Sequence, residues 1–211
     1  MDVALKKFGF KNKMVWHQDV ELPKSDLVVL PGGFSYGDYL RCGSMASKSK
    51  IMQSVINFAN SGGMVMGICN GFQILVETGL VPGVLLRNKY LEFICKNVFV
   101  KINNKDNAYF RKISKNVLEL HIAHNEGNYF CTNDQLKEIE DNTQVAINYC
   151  DPEGKIGEPF NPNGSIKNIA GIFNKEKNVL GMMPHPERMI DHSLSGEDGS
   201  HFFKNLINNL K

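Results

Sequence analysis

The sequence predicts an α/β fold, a three-layer arrangement in which a mostly parallel sheet carries helices on both faces. Three observations lead there. Short, wholly apolar runs ("DLVVLP", "MVMGIC", "IAGIF" and "NVLGMMPH") read as strands buried on both sides. Between the first two, and again after the second, apolar residues recur at helical spacing and stop at glycines. The middle of the chain differs: "LEFICKNVFVKI", "VLELHIAH" and "TQVAINYC" are strand-like at mostly hairpin-length separations, so a mixed or antiparallel extension is expected there.

Taken in order, residues 1–9 read as the end of a short helix, with Leu5 and Phe8 three apart and Gly9 behind. "KMVWHQ" and "DLVVLP" read as two strands. One helix is expected over about 44–60, on Met52, Val55, Ile56 and Phe58, closed by Gly62 and Gly63. "MVMGIC" is a strand and "FQILVETG" the helix behind it. In "TNDQLKEIEDN" the Thr132-x-x-Gln135 spacing marks a capping box opening a polar helix. A Gly/Pro/Asn-rich loop over 151–165 precedes the last two strands, and "GSHFFKNLINNLK" closes the chain as an amphipathic helix.

At 211 residues and 42% hydrophobic, the chain can bury one sizeable core, so a single domain over 1–211 is expected. A formal charge of +2 with no dense basic block argues against nucleic acid or an anionic membrane as partner. No apolar run approaches the roughly 18 residues of a membrane span, and "MDVALKKFGF" puts an acid where a secretory signal is basic. Five cysteines, at 42, 69, 95, 131 and 150, include no CxxC pair, which speaks against a disulfide framework or a zinc site and suits a reducing cytoplasm.

One cysteine stands apart. In "GICNG", Cys69 sits between an apolar strand and a helix, and Gly67 and Gly71 permit the tight turn of a nucleophile elbow. A thiolate there is favoured by the helix dipole, and the Asn70 N–H points where an oxyanion would form. The bland reading is a small buried cysteine at a strand end. "GMMPHPER" weighs against it: a cysteine nucleophile needs a base, and the base an orienting acceptor. His185 and Glu187 lie two apart, on one face of an extended segment, at the end of a strand expected in the same sheet. In "VVLPGGFSYGDYLRCGS" the paired glycines offer a second oxyanion-hole N–H, from Gly33 or Gly32, although glycine pairs are also common loop punctuation.

Together, "PGGFSYGDYLRCG", "GICNGFQIL", "NPNGSIKNIAGI" and "GMMPHPER", in this order, resemble the glutaminase subunits of phosphoribosylformylglycinamidine synthase, class I glutamine amidotransferases of purine biosynthesis with a flavodoxin-like sheet. The resemblance runs from about residue 2 to the C-terminus. It implies that Cys69 attacks the glutamine side-chain amide, giving a thioester and ammonia, with His185 as base and then acid and Glu187 as its orienter. It implies an oxyanion hole from Gly33 and Asn70, and substrate contact by Gln73. His124, Glu126 and Gly127 match a family segment near the glutamine pocket, with Asn125 where many relatives have glycine. It implies that ammonia passes to a large ATP-dependent synthetase subunit, with a small third subunit helping assembly. This chain has no P-loop or nucleotide fingerprint, so ATP and magnesium are expected in the partner and no cofactor or metal in the chain itself.

The resemblance also implies a central strand and a small polar loop ahead of "DVALKKFG". Met1 is therefore expected to be internal, preceded by roughly 15–20 residues, one strand plus a loop. Two other readings compete. The deglycase and chaperone superfamily has histidine beside its elbow cysteine, where this chain has Asn70. A silent regulatory domain would have lost Cys69, His185 or Gln73, and all three are present.

Overall fold

The computed structural model describes residues 1–33, 41–193 and 196–210. It opens in α1 (Asp2–Lys7), with Ala4 and Leu5 buried. The expected strand "KMVWHQ" is corrected to a loop. The Asp19 carboxylate accepts the Trp16 N–H at 3.1 Å, and the Asp19 N–H returns to the Trp16 carbonyl at 2.9 Å, closing a turn inside it. A ladder needs a neighbour to take its N–H and C=O groups, and among the described residues no strand pairs with this segment.

The elements that follow are β1 (Leu27–Leu30), α2 (Cys42–Ala46), α3 (Ile51–Asn60), β2 (Met64–Ile68), α4 (Asn70–Glu77), β3 (Val84–Leu86), β4 (Ile94–Ile102) and β5 (Val117–His124). Then come β6 (Asn128–Phe130), α5 (Asn133–Asp141), β7 (Val145–Cys150), β8 (Ile169–Phe173), β9 (Val179–Met182) and α6 (Asp198–Asn209). The helix expected over 44–60 is therefore two. Between them "SKSK" offers no apolar residue to bury, and the Ser47 hydroxyl donates back to the Ser44 carbonyl at 2.7 Å, ending α2. The capping box of α5 forms as expected, Gln135 N–H to Thr132 Oγ1 and Thr132 N–H to Gln135 Oε1.

Seven strands make one mixed sheet in the order β1-β2-β9-β8-β7-β4-β5. β1, β2 and β9 run parallel, and the other neighbours are antiparallel. The α/β class and the mixed extension are as the sequence predicts. The extension reaches further than the middle segments, because β8 and β9 pair as a hairpin. β3 and β6 form a separate two-stranded ribbon.

α4 lies close on the parallel part because the strands beneath it carry glycines. Gly67 and Gly181 are register partners; a Cβ on Gly67 would lie 2.6 Å from the Gly71 carbonyl carbon, and one on Gly181 2.1 Å from the Phe72 ring. Phe72 and Leu75 of α4 are fully buried in the main core. α6 joins that core through Phe202, whose ring lies 5.9 Å from Phe110, while Phe203 stacks on Phe8 at 5.4 Å in a second cluster that holds α1. This frame brings the carboxyl ends of three adjacent parallel strands side by side.

Candidate active site

Each of these three ends carries one part of the site: β1 leads into Pro31-Gly32-Gly33, β2 into Cys69, and β9 through Met183-Pro184 into His185. Cys69 holds φ 52 and ψ −107. A non-glycine residue there is strained, and such strain concentrates at functional turns. The conformation is held from both sides: the Cys69 N–H donates to the Met182 carbonyl at 2.9 Å, and its carbonyl accepts the Gln73 N–H at 3.1 Å, the first bond of α4. Cys69 is buried, at 5% exposed.

His185 reaches the same point from β9. The sequence places Glu187 beside it by strand alternation, but the contact arises otherwise. Pro186–Arg188 form a single 3-10 turn, which folds the glutamate back onto the ring, with Nδ1 to Oε1 at 2.7 Å. Burial works to raise the Glu187 pKa, yet the hydrogen bond and charge of His185 outweigh it and hold the carboxyl below its ordinary range. An ionised carboxylate can only accept, so Nδ1 is the nitrogen that donates to it, and Nε2 is the ring nitrogen not tied to Glu187. That Nε2 is buried and has no hydrogen-bond partner among the described residues. The backbone is pinned as well, His185 N–H donating to the His121 carbonyl at 2.8 Å.

Gly32 shows how close the two side chains are. A Cβ built on it would lie 2.6 Å from His185 Cε1 and 3.2 Å from Cys69 Cβ, so one carbon would touch both. Gly32→Ala is expected to lower glutamine hydrolysis by about 10²-fold, the cost of misplacing reacting groups by about an ångström. The circular dichroism spectrum should stay unchanged; wild-type turnover would mean that the two side chains need not approach.

Gln73 is buried one turn along α4, where Gly43 of α2 presses on its backbone; a Cβ at Gly43 would lie 2.6 Å from the Gln73 carbonyl carbon. Its Nε2–H donates to the Glu126 carbonyl at 2.9 Å, and its Oε1 accepts from Asn70 Nδ2 at 2.8 Å. Gly33 and Asn70, the expected oxyanion-hole pair, are in contact with each other: the Gly33 N–H donates to Asn70 Oδ1 at 2.9 Å. Most of "FSYGDYLR", residues 34–40, lies outside the described residues.

Some contributors had no sequence signal. Asn88, a single asparagine in a loop, accepts at Oδ1 from His124 Nδ1 and from the Gly127 N–H, and its Nδ2 donates to the His124 carbonyl. It thereby shapes the "HNEG" segment that receives Gln73. Burial first, then the nearby His185, lower the His124 pKa to about 3, so this imidazole stays neutral. Asn163 had a signal, lying in the quoted "NPNGS". Fully buried, it donates to the Gly127 carbonyl at 2.7 Å and to the Tyr149 hydroxyl at 3.3 Å. Tyr149 is held neutral by burial, with Cys69 near enough to push its pKa the same way.

The family model of the CobB/CobQ-like glutamine amidotransferase domain matches residues 1–198. The phosphoribosylformylglycinamidine synthase subunit PurQ of Pelagibacter ubique (strain HTCC1062) is 81% identical over 211 residues, covering 100% of this chain and 93% of the relative. That of Synechocystis sp. is 51% identical over 192 residues, covering 90% and 86%. In the structure of PurLQS from Thermotoga maritima, one chain matches at TM-score 0.85 and 38% identity, covering 99% of this chain and 91% of that one. A putative GMP synthase protein from Thermoplasma acidophilum, at TM-score 0.63 and 17% identity, shares the fold. The chain belongs to the glutamine amidotransferases and, among them, to the PurQ subunits of phosphoribosylformylglycinamidine synthase.

Proposed function

We propose that residues 1–211 act as one amidotransferase domain that hydrolyses glutamine through a Cys69 thioester and passes the ammonia to an ATP-dependent synthetase subunit, which makes phosphoribosylformylglycinamidine. The observation that carries this reading is the meeting of Cys69 and the His185–Glu187 pair against Gly32. The His185 Nε2 lone pair takes the thiol proton as Cys69 Sγ attacks the amide carbon of glutamine. The carbonyl oxygen becomes an oxyanion that takes N–H donors from Asn70, at the first position of α4, and from Gly33. As the intermediate collapses to a thioester, His185 returns its proton to the departing nitrogen and ammonia leaves. The same histidine then deprotonates a water that attacks the thioester, releasing glutamate and restoring the thiol.

Gln73 contacts the bound glutamine from α4. Nothing in this cycle consumes ATP or requires a metal, so both belong with the synthetase, where the acceptor is activated. That the solved relative is a PurLQS structure supports two partners, a large synthetase and a small protein that helps assembly. The enzyme works in the cytoplasm; Cys95, Cys131 and Cys150 form no disulfide, which suits a reducing compartment.

The test is a glutaminase assay of the chain with and without the synthetase complex. His185→Ala is expected to lose about 10³-fold or more in turnover, whereas Glu187→Ala retains at least roughly tenfold more than His185→Ala, since an orienter contributes less than the base it orients. Equal losses in the two variants would assign Glu187 a direct part in proton transfer.

A further inference from the structure

The donor that the reaction needs at Gly33 is occupied by the chain's own side chain. What occupies it is a primary carboxamide, the functional group that glutamine itself brings to the site. The Asn70 carboxamide spans two recognition points at once: Oδ1 accepts the Gly33 N–H at 2.9 Å, and Nδ2 donates to Gln73 Oε1 at 2.8 Å. Gln73 continues the line to the Glu126 carbonyl at 2.9 Å. Asn70 is 2% exposed, so water competes little for these bonds. An oxyanion can take the Gly33 N–H only when Asn70 Oδ1 gives it up.

We propose that the Asn70 side chain is an internal stand-in for the substrate carboxamide, which keeps the Gly33 donor and Gln73 occupied until glutamine and the synthetase together displace it. The inference rests on the oxyanion-hole reading of Gly33 given above. It makes the Asn70 side chain a positioning residue with a sign: in the isolated chain it restrains turnover, while its backbone N–H serves the reaction. It also couples the two ends of the pocket. A glutamine that engages Gln73 competes with the bond to Asn70 Nδ2 and so weakens the hold of the carboxamide on Gly33. A partner that shifts Gly33, at the end of β1, achieves the same release from the other side.

The readout is the ratio of glutamine turnover in the reconstituted complex to that of the chain alone, measured at saturating glutamine. Asn70→Ala removes the bonds to Gly33 and Gln73 and leaves the backbone donor in place. Its isolated chain is expected to turn over several-fold faster than wild type, so that the ratio falls. Asn70→Asp retains an acceptor for the Gly33 N–H, made stronger by its charge, and is expected to keep the isolated chain at or below wild-type turnover. An unchanged ratio in Asn70→Ala, with turnover reduced equally alone and in complex, overturns the proposal and leaves Asn70 a merely structural residue; a destabilised variant would give that pattern, and a urea midpoint for each variant identifies it. Glutamine turnover persisting in Cys69→Ala would instead sink the thioester reading on which the inference stands, so the two failures are distinguishable.

Discussion

Cys69→Ala is expected to remove glutamine-dependent synthesis by the reconstituted complex, by about 10³-fold or more, while synthesis from added ammonia continues largely intact. The asymmetry follows from the division of labour. The thiol supplies ammonia and nothing else, so a complex fed with ammonia bypasses it. The variant should also fold normally, because the thiol's bond to the Ala123 carbonyl is long, at 3.7 Å, and alanine fits the space it leaves. Parallel assays with glutamine and with an ammonium salt decide the matter. Substantial glutamine-dependent turnover would exclude Cys69 as nucleophile, and loss of both activities would place its role in assembly.

The second large effect falls on stability. Gly71→Ala would put a Cβ 1.9 Å from the Leu30 carbonyl oxygen and 2.7 Å from its carbon, both backbone atoms of β1. No rotamer change relieves such a clash; the helix or the strand must move. The expected cost is about 3 kcal/mol, at the upper end of what overpacking usually costs, read as a lowered urea midpoint. Moving α4 outward also moves Cys69 and the Asn70 N–H away from His185, so turnover should fall even at temperatures where the variant stays folded. A midpoint equal to wild type would show that β1 yields freely and that the close approach of α4 has no energetic weight.

Glu187 illustrates the division between what is legible in the chain and what is not. Its pairing with His185 could be read from the spacing, because residues two apart end close together in several local geometries. The actual route, a 3-10 turn after a proline, required the structure. The helix expected over 44–60 failed for a related reason: apolar periodicity marks which face is buried but does not register a break in a stretch such as "SKSK", where nothing is buried at all. "KMVWHQ" has the composition of a strand, yet a strand exists only in a ladder, and pairing is a property of two segments.

By itself the sequence determined the local chemistry of this protein. The elbow around Cys69, the His185–Glu187 pair, the capping box at Thr132 and the run of apolar strands all follow from interactions within a few residues, which spacing and side-chain type encode directly. Only the tertiary structure decided which strands lie side by side, and hence that the ends of β1, β2 and β9 meet, that Gly32 rather than a larger residue must separate Cys69 from His185, and that Asn88 and Asn163 hold Gly127 from loops far away in sequence. Those contacts join residues tens to more than a hundred positions apart, and their energy depends on distances that no local pattern carries. The Asn70 carboxamide belongs to the same class: its bond to Gln73 is local to α4, but its hold on Gly33 exists only because β1 and β2 are neighbours in the sheet.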